Sequence, residues 1–79
     1  MNDAERIRAC VGRVLRTHRE RQGLSQERMG FQAGLHRNYI AGTERGERNI
    51  SIVALSIWLP ALRVSWEEFG REVDAALRE

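Results

Sequence analysis

Leu24-Ser25-Gln26-Glu27-Arg28-Met29-Gly30-Phe31-Gln32-Ala33-Gly34-Leu35-His36-Arg37-Asn38-Tyr39-Ile40-Ala41-Gly42-Thr43-Glu44-Arg45-Gly46 is the stretch that decides the fold. Ser25 is a good helix N-cap, and Gln26 and Glu27 suit the positive end of the helix that it opens. Met29 and Ala33 point inward at a four-residue repeat. Gly34 supplies the left-handed residue that ends such a helix about ten residues after its cap. Leu35 begins a turn, and the pattern predicts another short helix from about Arg37 to Arg45, burying Ile40 and Thr43, with Gly46 as its stop. Two short helices hinged at a glycine, the second opening on side chains that match base edges, describe a helix-turn-helix.

The flanks are helical as well. Upstream, Asp3 is a candidate cap for a helix from about 4 to 22. Its apolar positions Ile7, Cys10, Val11, Val14, Leu15 and His18 recur at three- and four-residue steps until Gly23. Downstream, Ser51 is the expected cap of a fourth helix through Ile52, Leu55, Leu59 and Leu62, which Pro60 should end or kink near Leu59. Ser65-Trp66-Glu67-Glu68 reads as a capping box opening a last helix to about Leu77, with Trp66, Phe69, Val73 and Leu77 on one stripe. No strand pattern, repeat, low-complexity tract or linker interrupts residues 1–79. The expected architecture is all-α, five helices in one domain.

The basic residues are all arginine, and they are unevenly placed. Residues 1–50 carry ten Arg against six Asp and Glu, and residues 51–79 carry three against five, so a net charge of +2 divides into +4 and −2. Arg offers a planar fork for phosphate and guanine, so this polarity suits nucleic acid at one end of the chain and protein at the other. A solvated surface from an arginine-rich composition is the plainer alternative. Seventy-nine residues bury a small core, which self-association would reinforce. Trp58, Leu62, Val64, Trp66, Phe69, Val73 and Leu77 together exceed what such a core needs, which makes them the candidate surface of a two-fold homodimer.

The single cysteine, Cys10, excludes an intramolecular disulfide and reads as a small core residue. The N-terminal residues are too polar for a secretory signal, and the run from Ile57 to Leu62 is too short to cross a bilayer. The expectation is a soluble cytoplasmic protein without a membrane partner. Metal and cofactor are not expected: Cys10 and His18 lie about 12 Å apart along one helix, too far to share an ion. Nor is an enzyme, since no nucleophile, base and orienting group fall at suitable spacings and no glycine-rich phosphate loop occurs.

Arg37 and Asn38 occupy the first turn of the third helix, where Arg matches guanine O6/N7 and Asn matches adenine N6/N7. Arg37 there opposes the helix dipole, a small local cost that points to function. Tyr39 either packs against the core or turns its hydroxyl to a phosphate and its ring to a thymine methyl. Gln26, at the start of the second helix, is placed for a DNA backbone contact or serves the cap alone. Arg45, Arg48 and Asn49 lie just beyond the third helix, where they can grip the flanking backbone or reach the groove. Phe31 falls at an outward position, either packed on a neighbouring Arg shaft or in contact with a partner such as RNA polymerase.

With these residues placed, the stretch from about Val11 to Phe69 resembles the Cro/repressor-type helix-turn-helix family, with its lambda-repressor-like fold. The resemblance is carried by Arg19, Gly23-Leu24-Ser25-Gln26-Glu27, Gly34-Leu35, Tyr39-Ile40, Glu44-Arg45-Gly46, Asn49, Leu62 and Val64-Ser65. Within the family, Leu35 to Ser51 is most similar to controller proteins of restriction–modification systems. That resemblance implies a dimeric regulator binding double-stranded operator DNA and controlling endonuclease expression. It further implies that Arg19 and Glu44 pair between helices, that Gln26 contacts phosphate, and that Arg48 rather than Arg45 touches bases. Thr43, Gly30, Ile50 and Pro60 depart from the usual pattern. A phage-type repressor, the antitoxin of a toxin–antitoxin pair, and a protein-interaction module built on the same scaffold are the competing readings.

Overall fold

Asn2, one residue before the expected cap Asp3, opens the first helix. Its side chain accepts the Glu5 N–H at 2.8 Å while the Glu5 carboxylate accepts the Asn2 N–H at 3.3 Å, a complete capping box. The sequence reading overlooked this pair because Asp3 is an equally good cap type one position along. The computed structural model describes residues 1–79 as α1 (Asp3–Arg21), α2 (Gln26–Ala33), α3 (Arg37–Glu44), α4 (Ile52–Leu62) and α5 (Trp66–Leu77). Ser25, Ser51 and Ser65 cap α2, α4 and α5 through their side-chain oxygens. At Ser65 only this half of the expected capping box forms, and the Glu68 carboxylate makes no return bond.

Pro60 does not end α4, which runs on to Leu62 and closes on Arg63 in the left-handed conformation. The proline removes the donor that would have reached Ser56, four residues earlier. Ser56 and Pro60 are both exposed, so water can take that place, and the helix has only two more residues to run.

The core is assembled from every helix: Leu15 of α1, Met29 of α2, Ile40 of α3, Trp58, Leu59 and Leu62 of α4, and Phe69 and Val73 of α5. Trp58 is 0% exposed and its ring meets Tyr39 edge-on with centroids 6.4 Å apart. α1 is the hub, packing on both α3 and α5, while α2 packs on α3 and α4. The approach to α3 is backbone to backbone: a Cβ at Gly12 would stand 2.3 Å from the Thr43 carbonyl oxygen and 2.6 Å from that of Glu44.

Some apolar residues expected inside lie outside. Ile52 and Ile7 are exposed; Leu55, Leu59 and Leu62 of the expected α4 stripe are buried, and Ala54 and Trp58 join them on the inward face. The candidate dimer surface is largely consumed by the chain itself. Trp58, Leu62, Val64, Phe69 and Val73 are buried in the monomer's own core, Leu77 is half-buried, and Trp66 alone of the seven is exposed. Packing five short helices into one core takes more apolar area than a count along the sequence suggests. The apolar surface left over on the last two helices is Ile52, Val53 and Ile57 of α4 with Trp66 of α5, while Met1, Ile7 and Phe31 are exposed elsewhere. No helix is long and apolar enough to cross a membrane.

Candidate nucleic-acid interface

The turn between α2 and α3 is built on backbone. Gly34 adopts φ 67°, ψ 29°, and both its N–H and that of Leu35 reach the Gly30 carbonyl, the latter at 2.8 Å. Such a residue costs an L side chain roughly 1 kcal/mol or more, and glycine nothing. The chain folds tightly at Gly30, where a Cβ would meet the Leu35 oxygen at 2.5 Å. α3 is then opened by His36, whose Nδ1 accepts the Asn38 N–H at 3.0 Å. Sequence reasoning missed this cap, since histidine is outside the usual Ser, Thr, Asp and Asn set.

At the far end, α3 is fastened to both neighbours. Arg19 of α1 donates to the two Glu44 oxygens at 2.6 and 3.0 Å and to the Leu24 carbonyl at 2.7 Å. Gln26 of α2 donates to the same Glu44 carboxylate at 3.0 Å. One carboxylate thus joins the first three helices. The hydrogen bond to Glu44 is the largest cause of the raised Arg19 pKa, outweighing the burial that opposes it.

Between these anchors the outer face of α3 is free. Arg37 and Asn38 are exposed at its first turn, with Arg37 3.8 Å from Glu27 of α2. Tyr39 packs as the first of its two expected roles requires: its ring meets Trp58, and its hydroxyl, 3.4 Å from the Ser51 nitrogen, accepts that N–H within the chain. Arg48 folds back over the helix. A Cβ at Gly42 would lie 2.9 Å from its Nε, and its guanidinium carbon is 5.8 Å from the centre of the Tyr39 ring, a cation–π distance. The loop therefore returns Arg48 to the same face as Tyr39.

Arg45 and Asn49 are occupied by protein partners. Arg45 makes a two-point pair with Glu47 at 2.9 and 3.2 Å. That pair raises the Arg45 pKa and holds the Glu47 carboxyl below its ordinary range, in each case chiefly by the hydrogen bond. Asn49 accepts from Arg8 of α1 at 3.3 Å, and Arg8 also reaches the Gly46 carbonyl. Arg8 carried no local motif that would have singled it out. Phe31 is 83% exposed on α2, which overturns packing on an arginine shaft as its role.

A helix-turn-helix family model matches residues 15–69. The control protein C.SmaI of Serratia marcescens is 39% identical over 59 residues, spanning 75% of this chain and 70% of that protein. Among solved structures, the restriction–modification controller protein C.Esp1396I, as a tetramer in complex with its natural 35 base-pair operator, superposes with a TM-score of 0.84. It is 29% identical, over 92% of this chain and 96% of that one. C.AhdI, the controller protein from Aeromonas hydrophila, gives a TM-score of 0.75 at 40% identity, over 78% of this chain and 94% of that one. With the paired Arg19 and Glu44 behind an exposed Arg37 and Asn38, these likenesses agree on one conclusion: the chain belongs to the helix-turn-helix family, among the restriction–modification controller proteins, which are DNA-binding regulators and not an enzyme family.

Proposed function

We propose that the chain works as a homodimer on a pseudo-palindromic operator, controlling its own expression and that of a restriction endonuclease in the cytoplasm. The observation that carries this is the division of α3, whose C-terminal end is locked by Glu44 to α1 and α2 while its first turn presents Arg37 and Asn38 outward. Arg37 and Asn38 read bases in the major groove, Tyr39 and Arg48 complete the reading face, and Gln26, Arg45 and Asn49 grip the flanking phosphates.

Gln26 keeps one amide proton after its bond to Glu44, and its backbone N–H lies in the unpaired first turn of α2. Ile52, Val53 and Ile57 with Trp66 are the surface for the second copy, replacing the buried residues first considered. Phe31, exposed on α2 beside the DNA-facing turn, is available to RNA polymerase on the same DNA.

Footprinting on the DNA upstream of the protein's own coding sequence tests the reading. Two protected half-sites about one helical turn apart are expected. Absence of protection at any concentration, with the dimer intact, would instead make the helix-turn-helix a protein-interaction scaffold.

A further inference from the structure

The contact between α1 and α5 holds a group of side chains that the DNA interface does not use. His18 of α1 is buried, and its Nε2 lies 2.5 Å from a Glu72 oxygen of α5. Glu68, one turn before Glu72, completes the group, with one nitrogen or oxygen from each of the three residues within 4.8 Å of one another.

The charges in this group do not balance. Glu68 and Glu72 are like charges four residues apart on one helix, both half-buried, an arrangement that is repulsive on its own. Elsewhere in the chain, carboxylates at this spacing are matched by arginine: Arg16 with Glu20, Glu67 with Arg71, Asp74 with Arg78. Glu68 and Glu72 have no such partner, and one imidazole can offset at most one of the two charges.

We propose that His18, Glu68 and Glu72 bind a single divalent transition-metal ion that ties α5 to α1. One imidazole nitrogen and two carboxylate oxygens suit an ion of the zinc type. Magnesium and calcium favour oxygen donors throughout and would make poor use of the imidazole. Bonds of about 2.0–2.2 Å set tetrahedral donors roughly 3.3 Å apart, so the His18–Glu72 pair opens by less than about 1 Å and Glu68 turns inward. The fourth position falls to water on the half-exposed side. Spacing along α1 kept Cys10 and His18 from sharing an ion, and the two carboxylates arrive from a helix some fifty residues later, which no local motif announces.

The test is calorimetric titration of the EDTA-treated, dialysed full chain with zinc chloride near neutral pH, with thermal melting in parallel, for the parent and for H18Q, E68Q and E72Q. One ion per chain and a raised melting temperature are expected for the parent. E68Q is the informative variant, because the Glu68 side chain makes no hydrogen bond and its charge only opposes that of Glu72: without metal it should melt no lower than the parent, yet bind zinc at least about tenfold more weakly. H18Q and E72Q should lose binding as well. No saturable binding by the parent, or binding unchanged in E68Q and E72Q, overturns the site. The result is independent of operator binding.

Discussion

Arg19 and Glu44 meet across the α1–α3 contact in two hydrogen bonds, with the Glu44 side chain only 2% exposed. A buried ion pair adds little net stability over an apolar pair of the same shape, but losing one member leaves the other charge unpaired. Glu44→Ala should therefore cost on the order of 3 kcal/mol and lower the thermal midpoint. Gln26 loses its partner in the same variant, so DNA affinity should fall with stability. A variant that melts like the parent would show that the clamp contributes nothing.

Gly12→Ala places a methyl group against the Thr43 and Glu44 carbonyl oxygens, where backbone and not a flexible side chain must yield. Overpacking of this kind costs about 1–3 kcal/mol. A lower urea midpoint is the expected result, and an unchanged one would mean that α1 and α3 can separate freely.

Arg37→Ala should relax preference at one base pair in each half-site by about 1–3 kcal/mol and leave non-specific binding nearly intact. Asn38→Ala should do the same at a neighbouring pair. Selection from a randomised operator library reads both. Equal weakening on all sequences would make Arg37 a phosphate anchor and leave specificity to Asn38, Arg48 or DNA deformability.

Arg45→Ala should weaken every DNA sequence alike and make the logarithmic salt slope shallower by about one unit. Glu47 competes with DNA for Arg45, so Glu47→Gln should strengthen binding without regard to sequence. The Glu47 carboxyl is held below its ordinary range in the folded chain, so any stability linked to it is present above the unfolded value and lost only as pH falls through the folded one. Acidification from neutral to about pH 5 should thus leave the pair intact and give no gain in affinity through Arg45. A base-specific loss in the Arg45 variant would reverse its role.

Val53→Asp and Trp66→Asp change exposed positions, so each should fold like the parent while shifting sedimentation at micromolar concentration from dimer to monomer. Operator affinity should fall with self-association. Dimers that persist in both variants would place the interface elsewhere.

The helix-turn-helix was legible because its signals are local: Ser25 before α2, Gly34 after it, and polar side chains opening α3. The division between core and surface was not. Trp58 and Ile52 are both apolar residues of α4, yet one is enclosed by Tyr39 and its neighbours while the other faces outward, a difference set by where α2 lies. Pro60 misled for a related reason, since the cost of a missing N–H depends on whether water can reach the orphaned carbonyl. The Gln26–Glu44 and Arg8–Asn49 bonds join residues 18 and 41 apart, and nothing in their spacing marks them.

The contacts that position α3 lie at Gly12, Thr43 and Glu44, whereas the residues assigned to base reading begin at the opposite end of the helix. Arg37 and Asn38 can accordingly be exchanged without disturbing the frame that aims them. Two regulators of this design sharing one cell could keep the same scaffold, drift apart at a pair of exposed positions, and cease to answer to each other's promoters.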